Sequence, residues 1–133
     1  MSTTMKKYLA ILILPLLILA TSCSKTQQVT PNQTILTSVN SSNWYSSDGG
    51  KTYSAIINMP EIDSYFNTYG GVLVYITFDN VTYEAVPEVY GGIAYSFSHS
   101  PGKLEIDIQA SNGTSVITPP GKLNVKIVLV PSS

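Results

Sequence analysis

In Gly102-Lys103-Leu104-Glu105-Ile106-Asp107-Ile108-Gln109-Ala110, the apolar Leu104, Ile106 and Ile108 alternate with the charged Lys103, Glu105 and Asp107. Successive side chains of an extended strand point to opposite faces. This stretch therefore sets three aliphatic groups against a core and three charges in water, and it is the cleanest half-buried strand in the chain. The segments on either side follow the same rule. Ser100-Pro101-Gly102 has Pro and Gly in the order that a type II turn wants. Before it, Ile93 to His99 places Ile93, Tyr95 and Phe97 inward against Ala94, Ser96 and Ser98, and Gly91-Gly92 precedes that.

Working outward, Val72 to Phe78 is apolar on both faces, with Val72, Val74, Ile76 and Phe78 on one and Leu73 and Tyr75 on the other. Such a pattern predicts a central strand. Asp79-Asn80 makes a turn, and Val81 to Val86 returns before Pro87. Further upstream come Thr34 to Val39, the short Asn43-Trp44-Tyr45-Ser46, a tight turn at Asp48-Gly49-Gly50, and an alternating Lys51 to Asn58. Helical spacing occurs in Pro60 to Asn67, where Ile62, Tyr65 and Phe66 fall at i, i+3 and i+4 before Gly70-Gly71 stops the run. A polar loop, Ser111 to Gly121, leads to the last strand, Leu123 to Val130. Seven or eight short strands with turns between them, and one short crossover helix near 61–67, predict an all-β fold. A two-sheet antiparallel β-sandwich, Ig-like or similar, suits this better than a closed barrel. The domain is expected over residues 34–133.

The N-terminus has a different grammar. Lys6 and Lys7 precede the apolar run Tyr8 to Ala20, the charged and hydrophobic regions of an export signal. A bilayer span needs about 20 apolar residues, and this run is shorter and holds Pro15. Ala20-Thr21-Ser22-Cys23 resembles the lipobox of bacterial lipoproteins, in which the cysteine is acylated and becomes the new N-terminus. Cleavage after Ser22 by the ordinary signal peptidase would also fit its small residues. Lipidation is the better reading, because Cys23 is the only cysteine and has no intrachain disulfide partner. The chain then divides into a signal peptide, 1–22, a lipidated Cys23 with a polar, flexible tether to residue 33, and the β-domain. The membrane becomes its first partner. The expected location is the bacterial cell envelope, on the outer membrane, with either face possible.

Removing 22 of the 133 residues leaves 111, with five lysines against eight carboxylates, a formal charge of −3. The whole chain has no arginine, so the basic patch that phosphate backbones require is missing and nucleic acid is not an expected partner. Ser, Thr, Asn, Tyr and Val dominate, an extracytoplasmic β-rich composition.

The order of features is similar to that of a group of small secreted or lipid-anchored proteins common in Bacteroidetes. The matching residues are Trp44, Tyr53 and Ile57, then Gly71-Val72-Leu73-Val74-Tyr75. Tyr95-Ser96-Phe97-Ser98-His99, Gly102-Lys103-Leu104-Glu105-Ile106 and Ile127-Val128-Leu129-Val130-Pro131 complete them. The likeness spans about residues 44–131 and consists of core strands and turns. It implies the sandwich and the envelope location, and it brings no catalytic residues. Surface-exported lipoproteins of that phylum often carry acidic residues after the cysteine, and Lys25-Thr26-Gln27-Gln28 does not.

Few residues suggest chemistry. A triad could be sketched from His99, the serines at 96, 98 and 100, and Asp107, but no G-x-S-x-G elbow occurs and these read as hairpin residues. One histidine cannot seed a zinc site, and Asp48 and Asp79 read as turn formers rather than calcium ligands. Glu84, Glu88, Glu105 and Asp107 offer carboxylate pairs for glycoside hydrolysis, yet alternation makes a solvated face the simpler reading. The triplets beginning at Asn32, Asn40, Asn80 and Asn112 match a glycosylation signal that a bacterial lipoprotein would not use. No enzyme, cofactor or metal is expected. The remaining signal is aromatic: Trp44, Tyr45, Tyr69 and Tyr90 lie in or beside loops, where rings can stack on sugars. Capping the ends of the sandwich is the competing account, and Trp44 has the spacing of a core plug. The expected role is non-catalytic binding or structure, with an envelope protein or, alternatively, a glycan as partner. A hydrolase is the weakest reading.

Overall fold

The computed structural model describes residues 29–133. Eight strands run β1 (Gln33–Val39), β2 (Thr52–Met59), β3 (Gly71–Thr77), β4 (Glu84–Val86), β5 (Glu88–Tyr90), β6 (Ile93–Ser100), β7 (Gly102–Ala110) and β8 (Leu123–Val130). They form two four-stranded antiparallel sheets, β1-β8-β3-β4 and β2-β7-β6-β5. One helix, α1 (Ser64–Tyr69), carries the chain from the second sheet to the first, and Ser41–Asn43 forms a single 3-10 turn. The fold is the all-β sandwich that the alternating pattern predicts.

The core follows the period of two. Leu104, Ile106 and Ile108 are fully buried, while Lys103, Glu105 and Asp107 point outward. Across the sandwich Leu123, Val125, Ile127 and Leu129 of β8 bury the same phase, and Val74 and Ile76 of β3 complete that wall. Each fully buried Ile or Leu contributes about 1.5–3 kcal/mol of transfer free energy.

Several elements depart from expectation in instructive ways. The helix begins three residues later than the expected 61–67 span. Asp63 caps it, its carboxylate accepting from the Phe66 amide at 2.7 Å. Ile62 is buried ahead of the helix, Phe66 packs on the core, and Tyr65 points to solvent. The helix ends at Gly70, whose amide donates to the Phe66 carbonyl at 2.8 Å. A Cβ at Gly70 would stand 2.7 Å from the Phe66 ring, so packing demands the glycine. The expected Val81 to Val86 strand shrinks to Glu84–Val86, with Val81 80% exposed. β3 does lie inside its sheet, but the Leu73 and Tyr75 face looks to solvent rather than to a second layer. β5 has no counterpart among the strands that alternation predicts. Gly91 and Gly92, both at positive φ, close it onto β6 as a two-residue hairpin.

Register defines two ends. Gln33, Gly71 and Val130 lie at one, with Met59 and the β6–β7 hairpin joined to them by α1 and by the Gly102 amide on the Ile62 carbonyl at 2.7 Å. The loops 40–51, 78–83, 91–92 and 111–122 gather at the other. There the Ile117 amide donates to the Gly50 carbonyl and the Ser111 amide to the Gly92 carbonyl.

Candidate functional site

The loop end is built by short acidic turns. Asp48 accepts from the Lys51 and Thr52 amides at 3.1 and 2.9 Å and from the Ser46 and Thr52 hydroxyls at 2.9 and 2.6 Å. Asp79 accepts from the Val81 and Thr82 amides at 2.8 and 2.6 Å and from the Thr77 hydroxyl at 3.1 Å. These donors favour the ionised form and hold each carboxyl down to about 2, led by the Thr52 hydroxyl at Asp48 and the Thr82 amide at Asp79. Both aspartates are turn formers, as their turn sequences predict.

The Asp79 turn presents Phe78. Its ring stacks on Tyr90, centroids 4.2 Å apart and planes 14° from parallel, and meets the buried Tyr95 edge-on at 5.7 Å. Phe78 is 38% and Tyr90 49% exposed, so the pair has a solvent-facing side. Phe78, Asp79, Thr82, Glu84 and Tyr90 surround a cleft of about 260 Å³. Glu84 and Glu88 occupy inward positions of β4 and β5, opposite Ile76 and Tyr95, where Pro87 carries the chain between sheets. This corrects the solvated-face expectation for that pair. One Glu88 carboxyl oxygen is buried without a hydrogen-bond partner. Burial first, then the neighbouring charge of Glu84, raises the Glu88 carboxyl above its ordinary value. Glu105 and Asp107 do stand on the solvated face. Burial and the neighbouring Asp107 push Glu105 up, and the Ser54 hydroxyl donates to Asp107 at 2.5 Å.

The aromatic candidates do not converge. Trp44 is 8% exposed and lies in the core, its indole N–H unpaired, so it is the plug that its spacing predicts. Tyr45 pairs backbone to backbone with Ser54 along the outer edge of β2. Tyr90 lies on the opposite edge of the same sheet, four strand steps or about 19 Å away. Tyr69 belongs to α1 at the far end, where its ring meets Tyr65 at 4.8 Å. Only Tyr90 joins the cleft. Its partner Phe78 reads as a core residue in the sequence because the Val72 to Phe78 alternation runs on past the last buried strand residue. Cys23 lies outside the described residues.

The triad sketch also separates. His99 occupies the inward phase of β6, its Nδ1 2.7 Å from the Asn67 side-chain oxygen on α1, while the serines and Asp107 occupy the outward phase. A larger depression of about 440 Å³ lies on that outer face over Ala94 and Ser96. Tyr95 lines it but is only 4% exposed and cannot offer a ring face there. Among the described residues no cluster of His, Cys, Asp and Glu is placed to hold a metal ion, and no helix is long and apolar enough to cross a membrane. No protein family, curated protein or solved structure matches this chain.

Proposed function

We propose that this protein is a lipid-anchored module of the bacterial envelope that binds another envelope component without catalysis, through the loop end remote from its tether. One observation carries the reading. The chain from Cys23 enters the sandwich at Gln33, beside Leu129, whereas the half-exposed Phe78–Tyr90 pair and its cleft lie at the opposite end. A seven-residue strand separates the two by about 23 Å, so an anchored domain holds this end away from the lipid. Loops on a rigid sandwich are where binding residues concentrate. The Bacteroidetes resemblance supports the same location and adds no activity.

The test has two parts. Radiolabelled palmitate should enter the full chain and fail to enter the Cys23→Ser variant. An envelope protein should cross-link to the wild-type chain in intact cells and be lost with Tyr90→Ala. A cross-link unchanged by Tyr90→Ala would sink the loop-end assignment. A glycan is the second reading, favoured by a half-exposed aromatic pair beside the Glu84 carboxylate and Thr82 hydroxyl, the mix that packs on and hydrogen-bonds to sugars. Retardation in a polysaccharide-containing gel that disappears with Tyr90→Ala would select it over a protein partner.

A further inference from the structure

The outward face of the sheet β1-β8-β3-β4 changes character along its length. Register sets Val130 opposite Gly71 at the tether end, followed by the row Thr34, Val128, Leu73. The next row is Leu36, Lys126, Tyr75, Ala85, and the last is Ser38 and Asn124, with Thr77 beside them buried and its hydroxyl donating to Asp79. The rows near the tether are mostly apolar and the last is polar. Leu36 is 68% and Leu73 48% exposed, which is costly for aliphatic groups left in water. No Asp or Glu stands on an outward position of these strands. The single charge is Lys126, its Nζ 4.0 Å from the Tyr83 ring centroid and 4.9 Å from that of Tyr75. It lies where apolar rows give way to polar ones. Lys and Tyr bury an apolar stem or ring and keep a polar tip wet, which is how they sit at a lipid headgroup boundary. The opposite sheet presents Lys103, Glu105, Asp107, Ser96 and Ser98, and its exposed Ile56 and Val89 stand among these polar groups rather than in apolar rows.

We propose that the tether half of this face rests on the lipid surface in which Cys23 is anchored. The inference depends on the anchor reading above. The length of chain between anchor and domain argues for lipid as the occupant. Ten residues from Cys23 to Gln33 reach at most about 35 Å, so the bilayer is held beside the apolar rows at high effective concentration. Charge argues the same way, because an acidic domain has kept its carboxylates off the face that would meet anionic headgroups. Helix α1 adds Tyr65 and Tyr69, each 62% exposed, at the same end. The domain then lies tilted, with its tether end against lipid and the Phe78–Tyr90 cleft raised.

The experiment uses the full acylated chain, purified and reconstituted in vesicles of phosphatidylethanolamine and phosphatidylglycerol. A nitroxide is placed at Leu73→Cys and, as a control on the opposite sheet, at Ile56→Cys. Acylated Cys23 has its sulfur in a thioether and takes no label. The label at 73 should be more accessible to oxygen than to a soluble nickel chelate, and the label at 56 the reverse. Leu36→Glu, at an exposed position, should restore nickel access at 73. An acylated chain whose label at 73 is as open to nickel as the label at 56 overturns the orientation and leaves the anchor standing. Spin–spin broadening between labels at 73 means that a second copy covers the face, which also overturns it. An intact mass without acyl chains overturns the anchor and the orientation together.

Discussion

Trp44 and Tyr90 look alike in the sequence, an aromatic residue beside a turn, and the structure gives them opposite surroundings. Trp44 is enclosed among core residues, whereas Tyr90 keeps half its surface in water. Trp44→Ala should therefore lower unfolding free energy by about 3–5 kcal/mol, read by chemical denaturation. Tyr90→Ala should cost less in the same assay, led by the loss of its stack on Phe78, about 0.5–1.5 kcal/mol, while removing whatever the cleft binds. Glu88 makes a second residue-scale prediction. Its folded carboxyl titrates above the ordinary value of 4.5, because burial and Glu84 disfavour the charge. The sign follows from linkage: the favourable protonated state is fully present below the unfolded value and is lost as pH rises through the folded one. Stability should fall as pH climbs above about 4.5 in the wild type, and Glu88→Gln should flatten that fall. Asp48 acts in the reverse sense. Its folded value near 2 means that stability present above 3.8 is lost on acidification towards 2. Asp48→Asn should shrink that acid limb and leave the share that Asp79 contributes over the same range, which denaturation curves at stepped pH would show.

Elements bring the packing of neighbours into play. The 61–67 spacing correctly signals a helical turn, but Asp63 as N-cap and the Phe66 contact at Gly70 set where it starts and stops. Gly70→Ala pushes a methyl group into the Phe66 ring and should cost about 1–3 kcal/mol, the range of an overpacked site. Ile106→Ala in β7 should cost about 2–5 kcal/mol, because Ile106 is fully buried between two sheets that cannot collapse onto the space. β7 was legible residue by residue because one of its faces is wet. β5 was hidden: three residues, Glu88-Val89-Tyr90, carry too little alternation to register as a strand, and the Gly91-Gly92 turn is what makes them one.

Over the whole molecule, the two sheets share one core, and the stability of each strand depends on its place in that stack. β7 and β8 have neighbours on both sides and bury a complete face. β4 and β5 are three-residue edges joined at the sheet switch. Amide hydrogen exchange should be slowest in β7 and β8 and fastest in β4 and β5, since local opening draws on the elements with fewest buried contacts. Comparable protection in all four would mean that the sandwich opens only as a unit. The antiparallel order also sets Gln33, where the chain enters the sandwich, opposite the loop cleft, and the proposed binding end follows from that geometry.

Alternation of apolar and polar residues determined the long strands, the sandwich class and most of the core, because side-chain direction along an extended chain is a local property that neighbours in sequence already specify. Turn chemistry at Asp48, Asp79 and Pro101-Gly102 was legible for the same reason. Which strands pair, which apolar face the other sheet leaves uncovered, and which aromatics meet are long-range matters. Leu73 reads as interior until β8 and β4 are seen to cover only the edges of its strand. Phe78 reads as core until the chain is seen to leave the sheet before it. His99 stands one position from Ser98 and Ser100 in sequence and on the other face of the strand from them. The tertiary structure alone decided these, because contact between residues far apart in the chain depends on the register of whole strands.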